Sequence, residues 1–424
     1  VAKTRDKLNR LDNSIKRQWS DLESSDELST RDKLDRLVRS RLKERKTTQP
    51  VPNSPAKVDL PAVLEREYSY PAEARFGAFT IGDLACIRAA DLSILTGNPE
   101  WKKLSPSRLL YFDTETTGLS GGTGTIPFML GFGFLEGETF QVRIFTLSDL
   151  TREKEFLETV DRFLDGLDFC ATVTYNGKCF DFPLMETRYI LQRRKFPLLS
   201  CPHLDFLYPA RVLWRHTYPS RRLGFLGDIL LGLSREEDVD GSLIPHLYFR
   251  FLRNGDSSML EKVMEHNALD LVGLAMLLRL GAGYLEDVSL VHDEGEVMGT
   301  ARLLESSGYW EQAVERLTLA RSMACREEVQ TLATRRLSRM KKKQKLYSSA
   351  IELWEELRAM GDAGALRELS IHYEHRERDF HRALKLVQDG LSQVELSTTQ
   401  RLDLEKRLQR LQEKIRRVES DGGP

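Results

Sequence analysis

The sequence predicts an α/β domain on a mixed sheet whose first three strands are antiparallel, followed by an all-α solenoid. Two patterns predict it. Between residues 105 and 285, short apolar runs of strand length alternate with stretches of helical periodicity. From about residue 297 the apolar spacing is helical throughout, and an aromatic-x-x-Ala element recurs.

Taken in order, residues 1–60 read as a charged helical arm and a proline-rich linker. Leu8, Leu11, Ile15, Trp19 and Leu22 keep helical spacing, and so do Leu34, Leu37, Val38 and Leu42. Pro50, Pro52, Pro55 and Pro61 remove backbone donors and fix φ. Residues 61–104 read as a connecting segment that carries no recognisable chemistry. Leu109–Phe112 is then a buried-type strand. Residues 128–135 and 139–147 are two more, joined by a Glu136-Gly137-Glu138 turn. Residues 151–164 are helical, 170–175 form another strand and 182–192 another helix. Residues 204–280 are largely helical, broken by glycines. Such an order gives a sheet that is antiparallel first and parallel later, with helices packed on it.

In the segment 295–420, Trp310 with Ala313, Tyr347 with Ala350 and Phe380 with Ala383 repeat at intervals of 37 and 33 residues. That is near the roughly 34-residue period of tetratricopeptide repeats. The amphipathic stretch 397–418 suits a terminal cap.

The 424 residues suit two or three domains, and a hydrophobic share of 41% is enough for sizeable cores. With 63 basic and 64 acidic residues the net charge is −1, so any nucleic-acid surface must be local. The most apolar stretch, Leu271–Leu285, is too short for a bilayer span and contains Arg279, so no membrane is expected. Five scattered cysteines without a C-x-x-C pair argue against a disulfide framework and for a reducing, cytoplasmic setting. Cys201 and His203 lack further ligands nearby, and their expected role is structural.

The chemistry concentrates in acidic residues. Asp113-Thr114-Glu115 ends an apolar strand, where residues two apart face the same way. Asn176-Gly177-Lys178-Cys179-Phe180-Asp181 follows a strand and opens a helix, so Asp181 can cap it and also face a ligand. His266-Asn267-Ala268-Leu269-Asp270 puts His266 and Asp270 one helical turn apart. Phosphodiester hydrolysis by two divalent ions needs such a gathering of hard oxygen ligands. Asp205 could add a fifth acid, though structural hydrogen bonds are the expected use. The glycine-rich 118–124 lacks the Gly-Lys-Ser/Thr ending of a nucleotide triphosphate loop.

In order and context, these three segments resemble the exonuclease motifs of the DnaQ-like (DEDD) branch of the ribonuclease H superfamily. Asp113 to Thr125 more narrowly resembles the bacterial YprB-type proteins, which join a ribonuclease H-like exonuclease domain to tetratricopeptide repeats. The resemblance implies a ribonuclease H-like domain over 105–285. It implies Asp113, Glu115, Asp181 and Asp270 as ligands of two Mg2+ or Mn2+ ions, and His266 as general base. Here the histidine stands at the spacing usual for a tyrosine base, four residues before the aspartate.

The resemblance also implies contact of Thr114, Thr117, Gly118, Leu119 and Asn176 with a terminal nucleotide. Arg215, Arg221 and Arg222, with Arg211, Trp214, His216 and Tyr218, form a basic and aromatic run; a single-strand contact and a solvated face both fit it. Lys341-Lys342-Lys343-Gln344-Lys345 reads as a solvated connection between helices.

The expected activity is 3′→5′ exonucleolytic hydrolysis of nucleic acid, DNA in repair or processing first. An RNA-cleaving ribonuclease and a binding scaffold with an inactive nuclease domain are the alternatives. The repeats would bind a protein partner, a helicase among the candidates.

Overall fold

The computed structural model describes residues 60–421 apart from 119–123, 234–238, 240 and 394–395. The helical arm and nearly all of the linker therefore lie outside the described residues. So does Leu119.

The strands are β1 (Val63–Tyr70), the short hairpin β2 (Arg75–Phe76) and β3 (Phe79–Thr80), β4 (Leu109–Thr116), β5 (Pro127–Glu136), β6 (Thr139–Leu147), β7 (Ala171–Thr174) and β8 (His203–Asp205). Six form one sheet in the order β1-β6-β5-β4-β7-β8. Strands β4, β5 and β6 pair antiparallel, while β7 and β8 join β4 in parallel, which is the mixed sheet expected from the sequence. The β5–β6 turn closes on Gly137 at φ +62°, a left-handed conformation that glycine adopts without strain.

Four strands, β1, β2, β3 and β8, differ from expectation. Residues 61–104 do more than connect: β1 pairs along its whole length with β6 and forms the sheet edge. Its Glu65, Arg66 and Glu67 are exposed, which protects an edge from further pairing but leaves no apolar run to read. Strand β8 has only three residues, too few for a periodic pattern.

The longer helices of this part are α1 (Ala89–Thr96), α2 (Glu153–Asp165), α3 (Asp181–Leu191), α4 (Leu207–Leu213), α5 (Ile244–Asn254) and α6 (Ser258–Glu286). Helix α2 buries Phe156, Leu157, Val160 and Leu164, the expected apolar stripe. Helix α6, 29 residues long, packs across β4, β5 and β6.

The expectation that no stretch is long enough to span a bilayer needs correction here. Leu260–Glu286 is long and apolar enough, but 89% of its most apolar window is buried inside the protein. It is a core helix, apolar all round because neighbours surround it. Arg279 is tolerated within it because its guanidinium lies 4.1 Å from the Phe79 ring centroid and bonds Glu286 at 3.2 Å.

Beyond it the chain is all helical: α7 (Glu294–Ser306), α8 (Trp310–Met323), α9 (Glu327–Lys343), α10 (Tyr347–Ala359), α11 (Ala363–His372), α12 (Phe380–Gln393) and α13 (Thr398–Asp421). Consecutive helices pack on each other. Each aromatic-x-x-Ala element opens every second helix, and Ala313, Ala350 and Ala383 are fully buried where a larger side chain would hold the helices apart. Two residues before each aromatic stands a left-handed residue, Gly308, Lys345 or Arg378, which ends the preceding turn. The repeating unit is thus a helix pair. The lysine run does not simply connect helices: Lys341–Lys343 is the last turn of α9.

Candidate active site

Strand β4 leaves the core at Asp113. Leu109 to Phe112 are buried, while Asp113 to Thr116 are partly open to solvent. On one side β5 runs beside it, with Gly131 opposite Asp113. On the other, β7 leads through the Asn176-Gly177 turn to Asp181 at the start of α3. Helix α6 crosses above and brings His266, Asn267 and Asp270.

These elements gather the predicted acids. Asp113 is closely surrounded by protein, and its carboxyl is held well above the usual range, first by burial and then by the charges of Asp181, Glu115 and Asp270. The Asp181 carboxyl is pushed up to about 6, mainly by burial, and the Thr114 hydroxyl bonded to it works in the opposite direction. His266 Nε2 lies 3.5 Å from Asp270 Oδ2, on one face of α6 as the spacing predicted. Carboxylates from three distant segments thus act on Asp113.

Two contacts were not anticipated. Asn267 is fully buried, and its Nδ2 donates to Asp113 Oδ2 at 2.7 Å. The approach of α6 that makes this contact depends on Gly131. A Cβ there would come within 1.9 Å of Asn267 Oδ1 and 2.8 Å of Leu271 Cδ1. The Asn beside His266 was visible in the sequence, but nothing local marked it as a partner of Asp113.

The second-motif turn is built with equal economy of space. Asn176 has φ +69°, and a Cβ on Gly177 would lie 2.4 Å from Thr174 Oγ1. Asp205, 1% exposed, accepts from the backbone N–H groups of Asn176, Lys178 and Leu207, so its expected structural use holds. His203 also has a structural setting, bonded through Nε2 to Thr174 Oγ1 and stacked on Phe182. Among the first-motif residues, Thr114 spends its hydroxyl on Asp181. Thr117 Oγ1 accepts from the Ile126 N–H, and the Gly118 carbonyl accepts from Thr116.

The basic and aromatic run behaves differently from a stacking surface. Trp214 is fully buried against Phe206, and the Tyr218 hydroxyl donates to Glu296. Burial removes the Trp214 ring from any nucleic acid, and the Tyr218 hydroxyl is committed to the helical region. Arg221 is bonded to the Tyr218 carbonyl and gives its own carbonyl to the Tyr175 hydroxyl, whereas Arg215 and Arg222 remain exposed.

The donor set suits hard divalent cations, since buried, mutually repelling carboxylates are costly without them. The side chains are gathered but do not yet form a cage. Among the described residues no three His, Cys, Asp or Glu side chains stand in ion-holding geometry. Asp113 and Asp181 point oxygens at Asn267 and Thr114 instead, contacts that ion binding would have to share or replace.

Comparison with known proteins agrees with this architecture. The Bacillus subtilis protein YprB, itself uncharacterized, is 32% identical over 359 residues, covering 83% of this chain and 86% of the relative. The chain belongs to the YprB family. Residues 110–280, the segment that carries all five candidate catalytic residues, match the RNase H superfamily. The PolC-type DNA polymerase III of Mycoplasma pneumoniae is 22% identical over 231 residues, 43% of this chain but only 16% of the polymerase. A family B DNA polymerase from the archaeon Pyrobaculum calidifontis overlaps 50% of this chain and 29% of its own, at 17% identity and a TM-score of 0.31, too low to bear on the fold. The chain is therefore an RNase H-like nuclease superfamily member with an all-helical region behind the sheet domain, and its implied substrate is nucleic acid.

Proposed function

We propose that this member of the YprB family is a two-metal-dependent 3′→5′ exonuclease of the DEDD type, acting on DNA in repair or processing. The observation that carries the proposal is the convergence of Asp181, Glu115 and Asp270 on Asp113. Asp113, Glu115, Asp181 and Asp270 would hold Mg2+ or Mn2+. When bound, such ions activate a water and screen the charge that develops on the phosphate. Thr114 holds the Asp181 carboxylate, and Asn267 orients Asp113 from above. His266, one helical turn from Asp270, would accept the attacking water's proton. The turn at Thr117 and Gly118, together with Leu119 and Asn176, would receive the terminal nucleotide. The helical region would act as tetratricopeptide-like repeats whose stacked surface takes a protein partner, a helicase among the candidates. A cytoplasmic location belongs to the same reading.

The decisive assay uses end-labelled linear and circular DNA and RNA with Mg2+, Mn2+ or chelator, comparing the wild type with Asp113→Asn. Stepwise shortening from 3′ ends that the variant loses supports the proposal. Cutting of circles would make the protein an endonuclease, loss of RNA alone a ribonuclease, and binding without cleavage a scaffold.

A further inference from the structure

Three cavities adjoin where α4 meets the helical region. The first, about 570 Å³, is lined by Arg215 and His216 after α4, Met298 and Arg302 on α7, and Arg326 and Arg336 at α9. The second, about 520 Å³, shares Arg302 and Arg336 with it and reaches Trp310 and Lys343. The third, about 630 Å³, shares Gly308, Trp310 and Lys343 and adds Tyr309. Together they make one furrow with arginines at one end and aromatic rings at the other.

The charge along it is not uniformly committed. Arg326 is paired with Asp293 and Glu294, and Arg336 with Glu305. Arg215 and Arg302 have no ion pair among the described residues, although both are exposed and face the furrow. Protonation of His216 is disfavoured first by burial, and the Arg215, Arg326 and Arg302 charges add to it. Glu328 is the opposing charge at this end, and Glu311 lines the other. At the far end Trp310 is 42% exposed, unusual for so large a ring. Lys343 Nζ stands 5.0 Å from its centroid, and Lys102 Nζ lies 5.4 Å from that of Tyr309. Cations that can track phosphates, leading to an accessible ring that can stack on a base, are the two components of single-strand recognition.

We infer that the furrow from Arg215 through Arg302 to Trp310 binds a single-stranded stretch of nucleic acid, phosphates on the cations and a base on Trp310. This deepens the nuclease proposal by naming the form of its substrate, and rests on that reading for the choice of polymer. An acidic polypeptide would use the cations but gain nothing from the aromatic end.

The test is equilibrium binding of a fluorescent oligothymidylate of about 30 nucleotides by the full chain in excess chelator, across a salt series. Removing two phosphate contacts by Arg302→Ala with Lys343→Ala lowers the slope of log K against log salt by about 1.4. Trp310→Ala weakens binding roughly 5- to 150-fold, and Trp310→Phe restores most of it. These side chains are exposed, so circular dichroism and melting temperature should match the wild type. An unchanged slope and affinity in all variants overturns the furrow, as does equal competition by polyglutamate or binding of duplex alone. Failure of the nuclease proposal looks different: the oligomer binds in chelator but is not shortened when Mg2+ is added.

Discussion

Replacing Asp181 by Asn tests the electrostatic reading of the site without any nuclease assay. In the ion-free chain its carboxyl titrates at about 6 instead of 3.8. A rise of about 2 pH units at about 1.4 kcal/mol each means that the folded state carries about 3 kcal/mol of penalty at neutral pH. The sign follows from proton linkage: the folded chain binds the proton more tightly than the unfolded chain. The penalty is therefore complete above about pH 6 and lifts as pH falls from there toward 3.8. An asparagine keeps an oxygen for the Thr114 hydroxyl but removes the charge. Losing the charge-assisted character of that bond takes back about 1 kcal/mol. The expected net gain is about 1–2 kcal/mol, a melting temperature several degrees higher in chelator. Thermal melts of wild type and variant at neutral and acidic pH measure it. The difference should shrink on acidification, and added Mg2+ should stabilise the wild type more than the variant. A variant that melts below the wild type in chelator at neutral pH would refute the claim that the buried Asp181 charge costs the folded state stability.

Three further outcomes follow from the same geometry. His266→Ala should slow cleavage about 10²- to 10⁴-fold while Mg2+ still raises the melting temperature; full cleavage by the variant excludes His266 as base. Gly131→Ala drives a methyl into Asn267 and Leu271 and should destabilise by about 1–3 kcal/mol or more, read by urea titration; a neutral result would mean that α6 can move off β5 freely. Asn267→Asp places a fifth carboxylate against Asp113 and should lower the melting temperature in chelator, with acidification restoring it; unchanged stability would show that Asn267 does not set the charge on that oxygen.

The three acidic motifs were legible because each is a local arrangement: two residues on one strand face, a turn that opens a helix, one turn of a helix. The repeat was legible too, since Trp310, Tyr347 and Phe380 mark the openings of alternate helices. The aromatic half of the basic run misled for the opposite reason. Whether Trp214 and Tyr218 stack on a base or on protein depends on Phe206 and on Glu296 from the helical region, not on their neighbours in the chain. Likewise β1 is a strand because β6 pairs with it, and its own residues alternate too weakly to say so.

Helical and extended periodicity, turn residues and the identity of the acids are properties of neighbouring residues, so the chain alone determined the order of β4 to β7, the helical character of the later region and the set of candidate ligands. Only tertiary packing decided that Asn267 reaches Asp113 across 154 positions and that Gly131 leaves room for it. Packing also decided that Arg302 and Trp310 border a single furrow with Arg215. Those contacts depend on which surfaces meet and how closely, and that distance is a property of the whole packed core.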